Sequence, residues 1–536
     1  MKNTSKQTYD VCIVGAGLSG LTAAAYLSRA GYSVVLLEKQ GHPGGLVNSF
    51  SVSGYTFDGG ARSIENSGIL KPLIKDLGLD LSLIRSSVSI GIADTMVPMR
   101  GKESIEGYRQ MMERHFPDRH ADIDAIFSSI RKVYREMEVL YGFDNPVFTD
   151  YKHDRRYLFK TMLPWFFRFV ISVLRMRRMQ MPVESYLEQL TDCQSLNDLI
   201  AQHFFKQTPM FFALGYFYVY NDYYYPKGGT GALAASLANT IEQQGGEILY
   251  DMEVTALKVH SHRVVVQDGS YFGYDRLVWC ADLKRLYQVA DTTDLSISDV
   301  QAIDRRRESL EMRRGGDSVF TLYIGSTLPP EYFTGISDPH IFFTPSKEGL
   351  GQLFRSELQA VLSTSPLQRT QVLAWVDAYC KRTTYEISIP CLRDESLSPK
   401  GKSGLIVSFL FEYDLVRAVQ DEKWYEEFKD YVSERMIAVL NDSIFPGLID
   451  SVELQFASTP LTIESTFSSS EGGITGWSFE QSSPVVHALP KIPQSVLTPI
   501  PSVYQAGQWA YSPAGIPTAI LTGWYAYDAI TKKDKN

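Results

Sequence analysis

The sequence predicts an α/β fold: a parallel sheet flanked by helices, interleaved with a second lobe of α+β type. Three observations lead there. An apolar run, a glycine loop, a helix and a second apolar run open the chain in close succession. Two further glycine-rich segments lie near residues 225–246 and 504–519. Long insertions separate all three. Taken in order, Tyr9–Val14 is a short apolar run of the kind buried on both faces of a parallel sheet. Gly15-Ala16-Gly17-Leu18-Ser19-Gly20 follows with G-x-G-x-x-G spacing. Leu21–Leu27 is good helix sequence, stopped by Gly31. Ser33–Leu37 is a second strand, and it ends at Glu38, 23 residues after Gly15.

Each position in this unit has a physical task. Gly15 permits the tight strand-to-helix turn, Gly17 leaves room for a pyrophosphate, and Gly20 lets helix and strand approach closely. The helix N-terminus attracts phosphate, and an acid about 20 residues on accepts hydrogen bonds from ribose hydroxyls. A carboxylate at Glu38 repels a 2′-phosphate, so the unit suits FAD or NAD and not NADP.

Composition sets limits. The chain has 536 residues, which at roughly 150 per domain implies more than one lobe. The 61 acidic and 52 basic residues leave a net charge of −9, so no global basic field exists to hold nucleic acid. Five cysteines, Cys12, Cys193, Cys280, Cys380 and Cys391, form no C-x-x-C pair, which argues for a reducing compartment and against a disulfide scaffold. The nine histidines show no metal-ligand spacing, and no metal is expected. No apolar run reaches the length of about 18 residues that spans a membrane. Lys2 and Lys6 precede an apolar stretch, but Gly15, Gly17 and Gly20 break it as a signal sequence. The protein is expected to be cytoplasmic, soluble or peripheral on the membrane.

Beyond Glu38 come Pro43-Gly44-Gly45-Leu46 and Gly54-Tyr55-Thr56-Phe57-Asp58-Gly59-Gly60-Ala61-Arg62. Tyr504-Gln505-Ala506-Gly507 and Ala514-Gly515-Ile516-Pro517-Thr518-Ala519 lie near the end. Together these resemble the flavin amine oxidase and phytoene desaturase superfamily. Tyr225–Leu233 strengthens that likeness, and the run Asp394–Gly401, Glu471–Trp477 and Gly507-Gln508-Trp509 resemble its subgroup of phytoene desaturases, retinol saturases and carotenoid isomerases. The likeness covers residues 9 to 530. It implies a Rossmann-type FAD-binding domain of the glutathione-reductase kind, and FAD bound non-covalently, since no cysteine follows Cys391 to attach it. By the same likeness the cofactor would contact Gly15, Ala16, Gly17, Leu18, Ser19, Gly20, Glu38, Lys39, Gly45, Leu46, Gly59, Gly60, Ala61 and Arg62. Val254 would meet adenine through its backbone, Gly507 the pyrophosphate and ribityl chain, and Ile516, Pro517 and Thr518 the isoalloxazine. Arg62 would touch phosphate or flavin, or pair with an acid. The chain departs from the family at Leu46, where Arg or Lys is common, at Gly59-Gly60-Ala61, where many desaturases have Thr-Gly-Pro, and at Gln508, where Asp is common.

The expected division is 1–70, 225–292 and 485–536 for the FAD-binding domain, with 71–224 and 293–484 building the substrate domain. The Pro-rich stretches 484–501 and 326–330 read as surface connections. No second glycine fingerprint appears, so electrons are expected to pass through substrate, quinone, oxygen or a partner. The acceptor or donor is not specified. From Lys152 to Arg178 eight basic residues face one acid, with Pro164-Trp165-Phe166-Phe167 and Phe169–Leu174 between them. As a helix, Arg168, Ser172 and Arg175 share a narrow stripe opposite a broad apolar arc. Segment 152–182 therefore reads either as an arm contacting the membrane, or as a helix covering its own core with snorkelling arginines.

The resemblance implies an FAD-dependent oxidoreductase acting on carbon–carbon bonds, by desaturation, saturation or isomerisation, of a long lipophilic substrate such as a carotenoid or other isoprenoid. The enzymatic alternative is an oxidase of amines or another small polar substrate. A non-catalytic alternative is a prenyl-binding escort protein of the Rab escort and GDP dissociation inhibitor kind, which shares the fold. Tyr216, Tyr218 and Tyr220 alternate with Phe217 and Val219, a period of two that places the tyrosines on one strand face, either as a substrate wall or as ordinary packing. Trp509 and Tyr511 precede the flavin-facing turn and are candidates to line the substrate site. No residue is assigned as the catalytic acid or base.

Overall fold

The computed structural model describes residues 8–148, 158–351 and 353–535. The opening apolar run forms strand Thr8–Val14, parallel to Val34–Leu37 on one side and to Tyr271–Trp279 on the other. Val11–Val14 and Val34–Leu37 are buried throughout, as unbroken apolar runs must be when helices cover both faces of a sheet. Glu247–Leu249 extends the parallel array beyond Val34–Leu37, and Val503–Gln505 pairs with the end of Tyr271–Trp279. An antiparallel run, Val254–Lys258 and Arg263–Val266, completes this α/β layer with the short strand Ala290–Asp291. Helix Leu18–Arg29 packs on this sheet between Gly231–Gln243 and Ile516–Lys535. The last contact is at backbone distance, because a Cβ on Gly523 would stand 2.3 Å from the Ser19 carbonyl oxygen.

The second sheet runs Val452–Ser458, Ser318–Ser326, Ser403–Phe411, Tyr385–Ser388, His340–Thr344, Val88–Ile92, Thr95–Met99. It is antiparallel except where His340–Thr344 meets Val88–Ile92. Alternation decides its two faces. Phe320, Leu322, Leu405, Val407, Phe409 and Ile387 point to one side, into a core with Trp375, Tyr379, Phe428 and Val432 from helices Arg369–Cys380 and Tyr425–Ser443. Thr321, Ser408 and Glu386, directly opposite one another on three neighbouring strands, point to the other side. There they face the first sheet across a cleft.

A helical cluster built on His120–Tyr141 and Met210–Val219 packs against Val88–Ile92. It corrects one expectation: Tyr216 and Tyr218 lie on a helix, and Tyr220 caps it. The segment is apolar all round, so alternate tyrosines carry no face information, and Pro209 at the N-cap starts the helix. The strand comes later, at Tyr223–Pro226. Strand Glu247–Leu249 ends before Val254, which opens a separate strand.

Helix Leu163–Met176 lies on His120–Tyr141. Of the basic stretch, Lys152, Asp154, Arg155 and Arg156 lie outside the described residues. Ser172 faces inward, and with Arg175 it bonds Glu136. Phe159, Leu163, Phe166, Phe167, Val170, Ile171 and Leu174 are all 40% exposed or more. Among the described residues no helix is long and apolar enough to cross a membrane.

Candidate functional site

The cleft between the two sheets starts at the glycine loop. Gly15 turns the chain out of the first strand at φ +98°, a conformation that favours glycine. A Cβ on Gly20 would stand 2.0 Å from the Gly15 carbonyl oxygen, so no side chain is possible where helix and turn meet. Gly17, the N-cap, is different: a Cβ there would meet nothing within 4 Å, because the space beside it is the cleft. Gly45 faces it, its own Cβ position being 3.5 Å from Gly17 Cα. Leu18 and Ser19 open the helix at this wall, with its unsatisfied N–H groups and positive dipole end.

Glu38 closes one end. Its carboxylate accepts from Ala16 N at 2.6 Å and from Gln40 N at 2.8 Å. Burial raises its pKa, while these N–H donors act against the rise. Lys39 lines the cleft, and its ammonium donates to Ser465 O and Ser468 Oγ. Val254 also lines this end.

Leu46, Gly59, Gly60, Ala61 and Arg62 form the middle of the wall. Asp58 anchors that loop, accepting from Tyr225 Oη, Thr230 N and Ser49 Oγ, each at 2.8 Å. Arg62 is 4% exposed and, among the described residues, bonds no carboxylate. It donates to the Asp58 and Gly60 carbonyls and, across the cleft, to Ser408 Oγ at 2.7 Å and Thr321 Oγ1. It thereby ties the glycine loop to the second sheet.

Gly507 stands against the first helix, its Cβ position 2.8 Å from Ser19 Oγ, while Trp509, Gly515 and Ile516 form the far end. Thr522 Oγ1 accepts from Gly507 N, and Thr518 Oγ1 accepts from Gly515 N, fixing the turn into the C-terminal helix. That helix presents a second N-terminus to the cleft. Trp509 stands edge-on to Trp477, with ring centroids 4.9 Å apart.

Of the remaining expected residues, Ala16, Gly20, Pro517 and Thr518 do not line the cleft. Among the aromatic candidates, Tyr216 and Trp509 line it. Tyr218 packs on Tyr134, Tyr220 on Phe342, and Tyr511 is buried with its hydroxyl toward His487 O.

The cleft also gathers residues that sequence reasoning missed: Ser63, Glu65, His340 and Glu386. His340 is 1% exposed; its Nε2 lies 2.9 Å from Glu386 Oε1, its Nδ1 is 3.3 Å from Ser63 Oγ, and its ring stacks on Tyr223. Burial lowers the His340 pKa, so the neutral ring donates from Nε2 to Glu386, a tautomer assigned from the network. Burial alone would raise Glu386, but His340, Arg62 and Arg393 hold it below the usual range. Strand register brings His340 and Glu386 together, the loop after Arg62 brings Ser63 and Glu65 to them, and no local motif announces any of the four.

The residues present suit an extended dinucleotide: a cradle at Gly17 that a Cβ would fill, an acid at one end, and helix N-termini at Gly17 and at Gly515. The sequence model of the family described as flavin containing amine oxidoreductase matches residues 18–309. The chain is similar to prolycopene isomerase 2, chloroplastic, of an Oncidium hybrid cultivar, with 23% identity over 85% of this chain and 73% of that protein. It is similar to the lycopene-forming phytoene desaturase of Pantoea ananas, 21% identical over 95% of this chain and 96% of that protein. Among solved structures, an oxidoreductase from Methanosarcina mazei matches with a TM-score of 0.59 at 14% identity, covering 97% of this chain and 99% of that one; it shows the fold.

Proposed function

From the premise that this chain belongs to the family of flavin containing amine oxidoreductases, we propose that it is an FAD-dependent oxidoreductase acting on carbon–carbon bonds of a long lipophilic polyene or isoprenoid. The reaction is a desaturation, a saturation or an isomerisation. The observation that carries this reading is the cleft, which runs unbroken from Glu38 past Gly17 to the turn at Gly515. Likeness to a carotenoid isomerase and a desaturase over 85–95% of the chain supports the substrate class.

In this reading Glu38 holds the adenosine ribose, and Gly17, Gly45 and the first helix N-terminus hold the pyrophosphate. The turn at Gly515–Ile516 holds the ring, where the helix dipole favours negative charge. When bound, the flavin supplies hydride chemistry. Arg62 keeps the glycine loop against the second sheet, and Trp509 walls the ring end. The cofactor is held without a covalent bond.

The exposed apolar face of Leu163–Met176 supports peripheral contact with a lipid surface through 152–182. Phe166, Phe167, Val170, Ile171 and Leu174 would enter the acyl boundary, with Arg168, Arg177 and Arg178 at headgroup level.

Purified protein tests the reading directly. It should be yellow, release FAD intact on denaturation, and change flavin oxidation state anaerobically with phytoene or prolycopene in micelles, with products identified by mass spectrometry. Reduction by soluble amines with polyenes inert would replace it with the amine-oxidase reading.

A further inference from the structure

Five carboxylates line the cleft, and four of them are held in place. Glu38 accepts two backbone N–H groups, and Asp282 caps helix Leu283–Val289. Glu253 faces Lys39 at 4.0 Å, and Glu386 is bonded to His340. Glu65 differs from these. Among the described residues no cation and no other side chain pairs with its carboxyl, which receives only its own backbone N–H. The groups facing it are Asp222, from beside the Tyr223 strand, and the phenols Tyr141, Tyr216 and Tyr223.

Its position is fixed by two elements. Ile64–Glu65 pairs with Tyr223–Tyr224, which sets Glu65 opposite Tyr223. A Cβ on Gly515 would stand 3.2 Å from Glu65 Oε1, so the carboxyl lies at the turn opening the C-terminal helix. Two cleft-lining phenols, Tyr216 and Tyr223, stand beside it.

We propose that Glu65 is a catalytic residue that exchanges the substrate's proton at the ring end of the cleft. This rests on the reading given under Proposed function. Making a C=C bond from two adjacent C–H bonds removes one hydride and one proton, and the hydride is the flavin's part. The electrons of the second C–H bond become the new π bond, and its proton passes to Glu65 Oε. In the reverse direction the protonated carboxyl donates to the carbon next to the one that receives hydride. A carbon acid or alkene beside an apolar substrate path needs a partner that is neither ion-paired nor fully hydrogen-bonded, and Glu65 meets that condition. Burial, with the Asp222 charge adding to it, pushes the carboxyl up to about 7, a value suited to taking and giving protons near neutrality. Burial pushes the adjoining Tyr216 and Tyr223 phenols well above their ordinary value, so they remain protonated and do not serve as bases.

The test compares wild type, Glu65→Gln and Glu65→Asp. In flavin-free protein, infrared spectra across pH 5–9 should show a carboxylic C=O band lost with a midpoint near 7 and missing in Glu65→Gln. In flavin-loaded protein, Glu65→Gln should keep the wild-type flavin spectrum while turnover of phytoene or prolycopene falls about 100-fold or more. Glu65→Asp should restore part of the rate with a shifted pH midpoint. A Glu65→Gln variant with wild-type turnover and pH profile would overturn the assignment, as would an infrared titration unchanged from wild type, the band of Asp317, which burial raises to about 6, being common to both. Wild type inert to both polyenes would instead overturn the functional reading on which the assignment rests.

Discussion

Ser172 donates a 2.6 Å hydrogen bond to Glu136, and this bond sets the orientation of the helix Leu163–Met176. Of the polar stripe read from the sequence, Ser172 points into the protein and Arg175 reaches Glu136 from the surface, while Arg168 and the apolar arc point out. Phe166 and Phe167 are 50% and 62% exposed. Trp165, in contrast, stacks on Phe143 at 4.4 Å and donates its Nε1–H to Val139 O, so it belongs to the protein's own packing.

Replacing Phe166 and Phe167 with Ser should therefore weaken sedimentation with anionic vesicles and leave thermal stability unchanged. Each phenyl withdrawn from lipid forfeits about 1.5–3 kcal/mol, so the double variant should bind at least about tenfold more weakly. Equal sedimentation would assign the face to another partner, and a changed oligomeric state would identify a second copy of the chain.

At Gly17 the backbone φ is −68°, which any residue adopts, and the space beside it is open. Gly17→Val should fold with the stability of the flavin-free wild type yet purify colourless, because its methyl groups occupy the cradle. Visible absorption equal to wild type after FAD addition would contradict this.

The difference between Gly17 and Glu65 also explains what the sequence revealed. Gly15, Gly17 and Glu38 lie within one βαβ unit, where spacing alone fixes geometry, so the nucleotide end of the cleft was legible. Thr321, Ser408, Glu386 and His340 come from four strands far apart in the chain, and register alone aligns them. The tyrosines at 216–220 misled because an all-apolar helix hides its period. Glu65 belongs to no motif; its signal is an acid three residues past Arg62 in an otherwise small and apolar stretch.

His203 packs between Phe204 and Phe342, with its Nε2 buried and without a hydrogen-bond partner among the described residues. Burial pushes its pKa down to about 4, from 6.5 when unfolded. Between those values the unfolded chain binds the extra proton, so stability is complete above pH 6.5 and lost as pH falls toward 4. The loss approaches about 2–3 kcal/mol. His203→Leu should move the acid-unfolding midpoint to lower pH; an unchanged midpoint would mean that the imidazole is solvated.

Glu65 has the opposite sign. Its folded pKa of about 7 lies above the ordinary 4.5, so the folded state binds the extra proton between these values. Stability is therefore complete below pH 4.5 and declines as pH rises to 7. Above pH 7 the buried charge costs up to about 3 kcal/mol, and less where water in the open cleft solvates it. Glu65→Gln removes that cost without changing shape, so the flavin-free variant should be more stable than wild type at pH 8 and no more stable at pH 4.5, as read by urea melts of equal slope. A variant that gained stability while losing proton exchange would show an acid kept in place against the interest of the fold. A loss of stability at pH 8 would mean that the carboxylate has a partner there after all.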